Sequence, residues 1–401
     1  MKDVCFIDDI EIKNKKVLLR VDFNVALNTN NTIADDARIK QALPTIEYLL
    51  KNNNKLILIS HLGRPNGRDS KYSLKVIVDR LKKYLKHKNI VLIDDFLSKD
   101  NCDILNNQKP NDVFILENIR FYTQEKKNDQ EFAKRIADLA DIYVNDAFGV
   151  SHRKHASLVS TPKYIPSYGG LLLKKEINMI SKVIKNAKKP FVSILGGVKI
   201  STKIQFIEKL MDLTDFLLLG GGLANLFLLS KGYEIGKSIC ERDEEKNIKK
   251  LINIAKTKKV EVVLPVDAIV ANSLNAESGG EVKKVSEVNK NSYILDIGPE
   301  TQAQFGSIIS KTNTIVWNGP VGYIENIYYR RGTDFIYYSI ANNKQAFSIV
   351  GGGDTLAAVS KKEHLEDITH ISTGGGAMLE FIENGTLPGI EALKKDIFYF
   401  V

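Results

Sequence analysis

Four arginines, Arg38, Arg64, Arg120 and Arg153, fall in similar surroundings along this 401-residue chain. Each sits near the end of a short apolar run, beside other groups able to hold an anion. The segments are Asp22-Phe-Asn24, His61-Leu-Gly-Arg64, Glu117-Asn-Ile-Arg120 and Asn145-Asp146 leading to His152-Arg153, with Arg38 opening the helix after Asp36. A guanidinium fork matches carboxylate and phosphate oxygens two at a time, so several forks on one face imply a compact anion with more than one charged group. A second set is built from glycine: Gly196-Gly197, Gly220-Gly-Gly222, Gly298-Pro299, Asn318-Gly-Pro320, Gly351-Gly-Gly-Asp354 and Gly374-Gly-Gly376. Glycine-rich turns between a strand and a helix leave backbone N–H groups open at helix N-termini, where the phosphates of a nucleotide can approach closely. One glycine triplet is ordinarily a tight turn, and one loop arginine a solvated charge. Their repetition at equivalent places points to a small polyanion on one lobe and a nucleotide on the other.

Lys199 and Lys203 lie four residues apart after Leu195-Gly-Gly197. Read as the first turn of a helix, they share a face, repel each other and occupy the end that disfavours cations, penalties that a bound phosphate offsets. Asp354 offers a hard carboxylate oxygen where Mg²⁺ beside nucleotide phosphates would bind. An Asp before Thr355 would equally cap a helix. His152-Arg-Lys-His155 supplies only two imidazoles in cationic surroundings, which opposes zinc and favours anion contact or local hydrogen bonding. No G-x-x-x-x-G-K-[ST] occurs, and no G-x-G-x-x-G fits a first βα unit, which argues against a P-loop NTPase and an ordinary dinucleotide dehydrogenase. Phosphoryl transfer between a nucleotide and a small anion remains.

Both residue sets need strands to carry them. Short β-branched or leucine-rich runs alternate with stretches of helical spacing along the whole chain, the pattern of an α/β protein with parallel sheets. Strands are predicted at 17–21, 56–60, 90–93, 113–116 and 142–144, then at 191–195, 216–219, 260–264, 293–297, 314–317, 348–350 and 371–373. Helices include 37–51, 74–86, 130–140 and 204–213. The composition breaks at the Pro/Gly-rich stretch 161–170, followed by an amphipathic helix, 171–188, that stops before Pro190 and reads as a linker helix joining two α/β lobes. Ligands of open parallel sheets sit at the carboxyl ends of the strands, where both residue sets stand.

Length and composition narrow the choice. At about 150 residues per domain the chain holds two or three domains. No apolar run reaches the ~18 residues of a membrane span, since the longest candidate, 215–230, is broken by Gly220, Gly221 and Gly222. With no signal-peptide pattern, a soluble cytoplasmic protein is expected. Cys5, Cys102 and Cys240 are too far apart for a metal knuckle or redox pair. The net charge of +9 allows nucleic acid as a partner. The lysines, however, are spread over helices rather than gathered in stripes with interleaved aromatics, so neither nucleic acid nor membrane is expected. No feature demands a partner protein, and a monomer is expected.

Eight motifs resemble, in order, those of the phosphoglycerate kinase family: Arg20-Val-Asp-Phe-Asn-Val25, Ser60-His-Leu-Gly-Arg-Pro65, Leu116-Glu-Asn-Ile-Arg-Phe121, Asn145-Asp-Ala-Phe-Gly149, Leu195-Gly-Gly-Val-Lys199, Trp317-Asn-Gly-Pro-Val-Gly322, Gly351-Gly-Gly-Asp-Thr355 and Ser372-Thr-Gly-Gly-Gly-Ala377. The resemblance implies a glycolytic enzyme of two Rossmann-like lobes, with parallel sheets flanked by helices and joined by a hinge helix, that transfers phosphoryl reversibly from 1,3-bisphosphoglycerate to Mg-ADP, giving 3-phosphoglycerate and ATP, in line and on domain closure. It implies a 3-phosphoglycerate domain over 1–170, with 390–401 packing back on it, and a nucleotide domain over 171–389. Position by position, Asp22, Phe23, Asn24, Arg38, His61, Leu62, Gly63, Arg64, Arg120 and Arg153 would hold 3-phosphoglycerate. Lys199, Lys203, Gly220, Gly298, Asn318, Glu325, Gly352, Gly353, Asp354 and Thr355 would line the ATP or ADP site, with Glu325 near the ribose and Asp354 on Mg²⁺. The catalytic set implied is Arg38, Lys199, Lys203, Gly374 and Gly375. The chain departs from many members at Ala26, Thr202, Met378 and Tyr329. A carboxylate acceptor is already ionised at pH 7, so the chemistry would need alignment and charge neutralisation rather than a general base. A kinase for another carboxylate would share the glycine loops but need different first-lobe arginines.

Overall fold

The computed structural model describes residues 4–359 and 363–394. The chain forms two compact units, one from Met1–Asn178 with Thr386–Val401 and the other from Met179–Gly385. In the first, the elements run β1 (Lys16–Arg20), α1 (Ala37–Lys51), β2 (Lys55–Ile59), α2 (Lys75–Tyr84), β3 (Asn89–Ile93), α3 (Lys99–Asn106), β4 (Asp112–Leu116), α4 (Thr123–Lys127), α5 (Gln130–Ala137), β5 (Ile142–Asn145) and β6 (Ser167–Gly169). These strands make one parallel sheet of order β3-β4-β2-β1-β5-β6. A sheet covered by helices on both faces is read as continuous apolar runs, and Val17, Leu18, Leu19 and Leu56 through Ile59 are all buried accordingly.

Helix α6 (Leu171–Asn186) gives residues to both units. The second unit continues with β7 (Phe191–Leu195), α7 (Ile204–Leu210), β8 (Phe216–Leu219), α8 (Gly221–Ser230), α9 (Glu245–Lys258), β9 (Glu261–Val263), β10 (Asp267–Ala271), β11 (Glu281–Lys284), β12 (Tyr293–Ile297), α10 (Pro299–Ile309), β13 (Thr314–Asn318), α11 (Arg331–Asn342), β14 (Phe347–Gly351), α12 (Gly353–Val359), β15 (His370–Ile371) and α13 (Gly376–Asn384). Its main sheet is parallel, in the order β15-β14-β13-β7-β8-β9. Its core gathers around the fully buried Trp317, whose indole N–H donates to the Gly319 carbonyl oxygen at 2.8 Å, satisfying the one polar atom of a large apolar side chain. The chain then returns to the first unit, where α14 (Pro388–Glu391) lies. The Gly389 N–H donates to the Ser151 carbonyl oxygen at 2.7 Å, and the Asn145 side-chain amide donates to the Gly389 carbonyl oxygen at 3.1 Å. Of the return segment expected over 390–401, residues 395–401 lie outside the described residues.

Three expectations are corrected. The run 293–297 is a strand but not part of the parallel sheet: β12 pairs antiparallel with β10, which pairs antiparallel with β11, in a separate three-stranded sheet. The Pro/Gly-rich stretch 161–170 is not only a connection, since β6 lies within it and completes the first sheet's edge. Lys199 and Lys203 do not share the first turn of a helix, because α7 starts only at Ile204, with Lys203 capping it and Lys199 in the preceding loop. Among the described residues, no helix is long and apolar enough to cross a membrane.

Candidate active site

Four adjacent central strands, β4, β2, β1 and β5, end where the first residue set begins. Their carboxyl-end loops and the start of α1 surround a cavity of about 460 Å³ lined by Asn24, Arg38, His61, Gly63, Arg64, Arg120, Lys126, His152, Arg153 and His155, among others. The loop carrying His61 is fixed by side chains from its neighbours. Asn24 Oδ1 accepts from the Gly63 N–H at 2.8 Å, the Asn118 amide donates to the Leu62 carbonyl oxygen at 2.8 Å, and Arg120 donates to the Gly63 carbonyl oxygen at 2.7 Å. Gly63 has φ +64, and a Cβ there would fall within 2.4 Å of the Tyr72 ring, so this tight turn requires glycine.

The electrostatics favour an anion. Burial lowers the Arg120 pKa to about 10, helped by the Arg20 charge, which still leaves it protonated at neutral pH. Burial, with Arg153 beside it, takes His152 down to about 4. Burial also takes His61 well below the ordinary histidine value, and the Arg120, Arg20 and Arg38 charges add to this against the opposing pull of Asp22. Burial would raise Asp22, yet Arg38, His61 and Arg20 outweigh it and hold the carboxyl at about 2. The pocket therefore presents guanidiniums beside the neutral imidazoles of His61 and His152. The Arg120 Nε is buried without a hydrogen-bond partner, a cost that an incoming oxygen would relieve.

Not all of the expected first-lobe residues face this space. Asp22 is not among its lining residues and instead pairs with the Arg38 guanidinium. Phe23 and Leu62 are buried in the hydrophobic core. Lys126, whose ammonium donates to the Pro65 carbonyl oxygen at 3.1 Å, lines the pocket without having been singled out in the sequence.

In the second unit the ends of β14, β13, β7 and β8, again adjacent central strands, surround a cavity of about 560 Å³. Lys199, Lys203, Asn318, Glu325, Gly352, Gly353, Asp354, Thr355 and Gly375 line it. Glu241 accepts from the N–H groups of Ile200 and Ser201 at 2.7 and 2.9 Å and so holds the loop that bears both lysines. The Lys203 ammonium donates to the Gly196 carbonyl oxygen at 3.1 Å; burial lowers its pKa, and Asp354 partly restores it. Asn318 donates to the Gly351 carbonyl oxygen at 3.0 Å, and Thr355 Oγ accepts from the Gly319 N–H at 2.7 Å, joining the loops after β13 and β14. Gly352 has φ +109, and a Cβ there would meet the Asn318 amide at 2.8 Å. Helices α8, α12 and α13 start at Gly221, Gly353 and Gly376, all on this cavity. Leu228, Ile239, Pro265, Ala268 and Leu295 supply an apolar wall with room for a base.

Three expected residues are absent from this lining: Gly220, Gly298 and Gly374. A Cβ on Gly220 would strike Val321 at 2.4 Å, and one on Gly298 would strike the Asp267 carboxyl at 2.3 Å, so both glycines serve close packing. The Gly374 N–H donates to Ser372 Oγ at 3.1 Å within its own loop. Asp354 stands inside the first turn of α12 rather than capping it. A lining residue that sequence reasoning missed is Asp296, a buried carboxyl group that accepts from the N–H groups of Ile297 and Gly332 at 2.9 and 2.7 Å and ties β12 to α11.

Known proteins match this arrangement over nearly the whole chain. The sequence profile described as phosphoglycerate kinase matches residues 7–385. The phosphoglycerate kinase of Dictyoglomus turgidum is 44% identical over 393 residues, covering 98% of this chain and 99% of that protein. The cytosolic phosphoglycerate kinase of Nicotiana tabacum is 42% identical over 395 residues, covering 98% of each. Among solved structures, the phosphoglycerate kinase from Coxiella burnetii superposes with a TM-score of 0.83 at 38% identity, and that from Pyrococcus horikoshii with 0.85 at 32%; each comparison covers 97% of this chain and 98% of the other. With two cavities at equivalent strand ends, one cationic and one glycine-lined, and these relatives spanning almost every residue, the chain belongs to the phosphoglycerate kinase family.

Proposed function

We propose that the two cavities divide the substrates of the phosphoglycerate kinase reaction, the first unit holding 3-phosphoglycerate or its acyl phosphate and the second holding Mg-ADP or Mg-ATP. The chain catalyses reversible phosphoryl transfer between 1,3-bisphosphoglycerate and ADP. The observation that carries the division is the contrast between linings. Arg38, Arg64, Arg120, Arg153 and Lys126 meet at one cavity, whereas the other combines glycine loops, two lysines and an apolar wall.

The residues present fit a metal that arrives with the nucleotide. Asp354, a carboxylate on the cavity in the first turn of α12, is the residue that would hold it. Bound there, Mg²⁺ supplies neutralisation of phosphate charge. Arg38, Lys199, Lys203 and the Gly375 N–H are assigned to the oxygens of the transferring group, whose charge must be met while donor and acceptor are aligned. Gly374 is left out because its N–H is engaged by Ser372. Glu325 is assigned to the ribose. Domain closure, with 162–188 as the hinge region, brings the ligands together and excludes water from the acyl phosphate. Small-angle scattering should show compaction only when both substrates are bound.

The decisive test is a coupled assay with Mg-ATP and 3-phosphoglycerate, in which glyceraldehyde-3-phosphate dehydrogenase consumes the product and NADH is followed optically. Rapid Mg-dependent turnover is expected. Folded protein that binds ATP without turnover would assign the cationic cavity to another small carboxylate.

A further inference from the structure

Arg20 ends β1 and is fully buried, a costly place for a charge unless it is paired and hydrogen-bonded. Its Nε donates to Ser157 Oγ at 3.0 Å, one terminal nitrogen donates to the Val21 carbonyl oxygen, and the other lies 3.5 Å from His61 Nδ1. Ser157 passes the interaction on: its hydroxyl donates to Glu125 Oε1 at 2.7 Å and its N–H to Oε2 at 2.8 Å. Glu125 is itself completely buried and has His155 Nδ1 at 3.6 Å. A charged chain thus runs beneath the cationic cavity, from Glu125 through Ser157 and Arg20 to His61.

The donor chemistry of the guanidinium bears on the imidazole. A guanidinium has only N–H donors, so a nitrogen facing it must offer a lone pair. The one carboxylate near His61 Nδ1, Asp22, is 3.9 Å away, beyond hydrogen-bond reach. We propose that Arg20 is a positioning residue for the anion cavity, fixing His61 as the neutral tautomer that carries its proton on Nε2 and can donate it to a bound anion, with Glu125 and Ser157 holding the guanidinium in place. The charges facing His61 are Arg20 from β1, Asp22 just after it, Arg38 from α1 and Arg120 from the segment after β4, three cations against one carboxylate. Burial of the ring first, and that excess of cations after it, keep His61 neutral, so its role does not depend on its becoming a cation. The inference rests on the assignment of this cavity to 3-phosphoglycerate only for its effect on KM.

The test is long-range ¹H–¹⁵N spectroscopy of the substrate-free chain with ¹⁵N-labelled histidine, His61 being assigned by the signals lost in His61→Asn. An unprotonated Nδ1 and a protonated Nε2, unchanged between pH 6 and 8, are expected. A protonated Nδ1, or titration within that range, overturns the proposal whether or not any variant folds. In Arg20→Met the His61 signals should move to a mixture of tautomers or to Nδ1–H facing Asp22, and KM for 3-phosphoglycerate should rise about tenfold, the scale of one charge-assisted hydrogen bond, with kcat little changed. An Arg20→Met protein with the wild-type tautomer and wild-type KM overturns it as well. Failure of the substrate assignment would appear separately, as absent turnover in the coupled assay with an unaltered histidine spectrum.

Discussion

The Lys203 ammonium donates to the carbonyl oxygen of Gly196, seven residues back, at 3.1 Å. This contact binds the start of α7 to the end of β7 and keeps a half-buried cation on the glycine-lined cavity. Burial disfavours its charge, and a phosphate oxygen would favour it. Lys203→Ala should therefore reduce kcat/KM for Mg-ADP by about 100-fold or more, the range seen when one preorganised donor to a developing charge is removed. Steady-state kinetics in both directions check this. An activity within a few-fold of wild type would show that the lysine serves only the loop.

Arg38 has a different reach because it stands on the first unit. Arg38→Ala should abolish turnover yet leave the dissociation constant for Mg-ADP within a few-fold of wild type, since the cavity proposed for the nucleotide is lined by the second unit alone. Calorimetric titration of the nucleotide, beside the coupled assay, separates the two effects. A large loss of nucleotide affinity would contradict the division of substrates proposed above.

Acid stability should show two opposing limbs. Asp22 has its pKa lowered from 3.8 to about 2, so its stabilising contribution is complete above 3.8 and disappears as pH falls toward 2. It is worth about 2 kcal/mol at neutral pH. Asp146 and Asp296, raised by burial to about 7, behave in the opposite sense. The folded chain keeps their protons up to about pH 7 while the unfolded chain releases them near 3.8, so stability increases on acidification between those values. Tm should rise from pH 7.5 to about 5.5 and fall below about 4. Asp146→Asn should flatten the first limb and Asp22→Asn the second. A Tm that declines steadily from pH 7.5 downward would refute the burial of these two carboxyls.

Gly196→Ala tests the close approach of two loops. Its Cβ would lie 2.0 Å from the Pro320 carbonyl oxygen and 2.8 Å from that of Gly319, backbone atoms that have little freedom to yield. Overpacking of this kind costs about 1–3 kcal/mol, and the displaced loop carries the acceptor of Lys203. A lower Tm and weaker Mg-ADP binding are expected together. Gly279→Ala, with no atom within 4 Å of its Cβ and no place on either cavity, is the control and should leave both unchanged.

The parallel strands were legible because burial on both faces writes itself as unbroken apolar runs: β7 and β8 have the predicted limits. β10 and β11 were not, since β11 is the short, mostly exposed stretch Glu281–Lys284, whose one apolar residue, Val282, is itself exposed, so no buried face marks the pair. The forked cations could be found because only eleven arginines occur, whereas Lys126 is one lysine in a lysine-rich background. Arg20 stood within a recognised motif, yet as the last residue of a strand it gave no sign that it faces inward toward His61. The Lys199 and Lys203 spacing suggested a helix face. The turns at 201–203 delay the helix, and Glu241, forty residues away, sets the loop instead. The apolar wall of the glycine-lined cavity was illegible for the same reason, as Leu228 and Leu295 come from separate elements.

The hydrogen bond from Asn145 to Gly389 joins residues 244 positions apart and belongs wholly to the first unit. During synthesis, the strap that covers Ser151 emerges only after every residue of the second unit has left the ribosome. The first unit must wait through that interval with the Ser151 carbonyl and the Asn145 amide met by water, so its last step of assembly is a slow, long-range closure rather than a local one. A nascent chain arrested before Thr386 should accordingly carry a first unit that opens and is cut by protease more readily at 145–160 than the same unit in the finished protein.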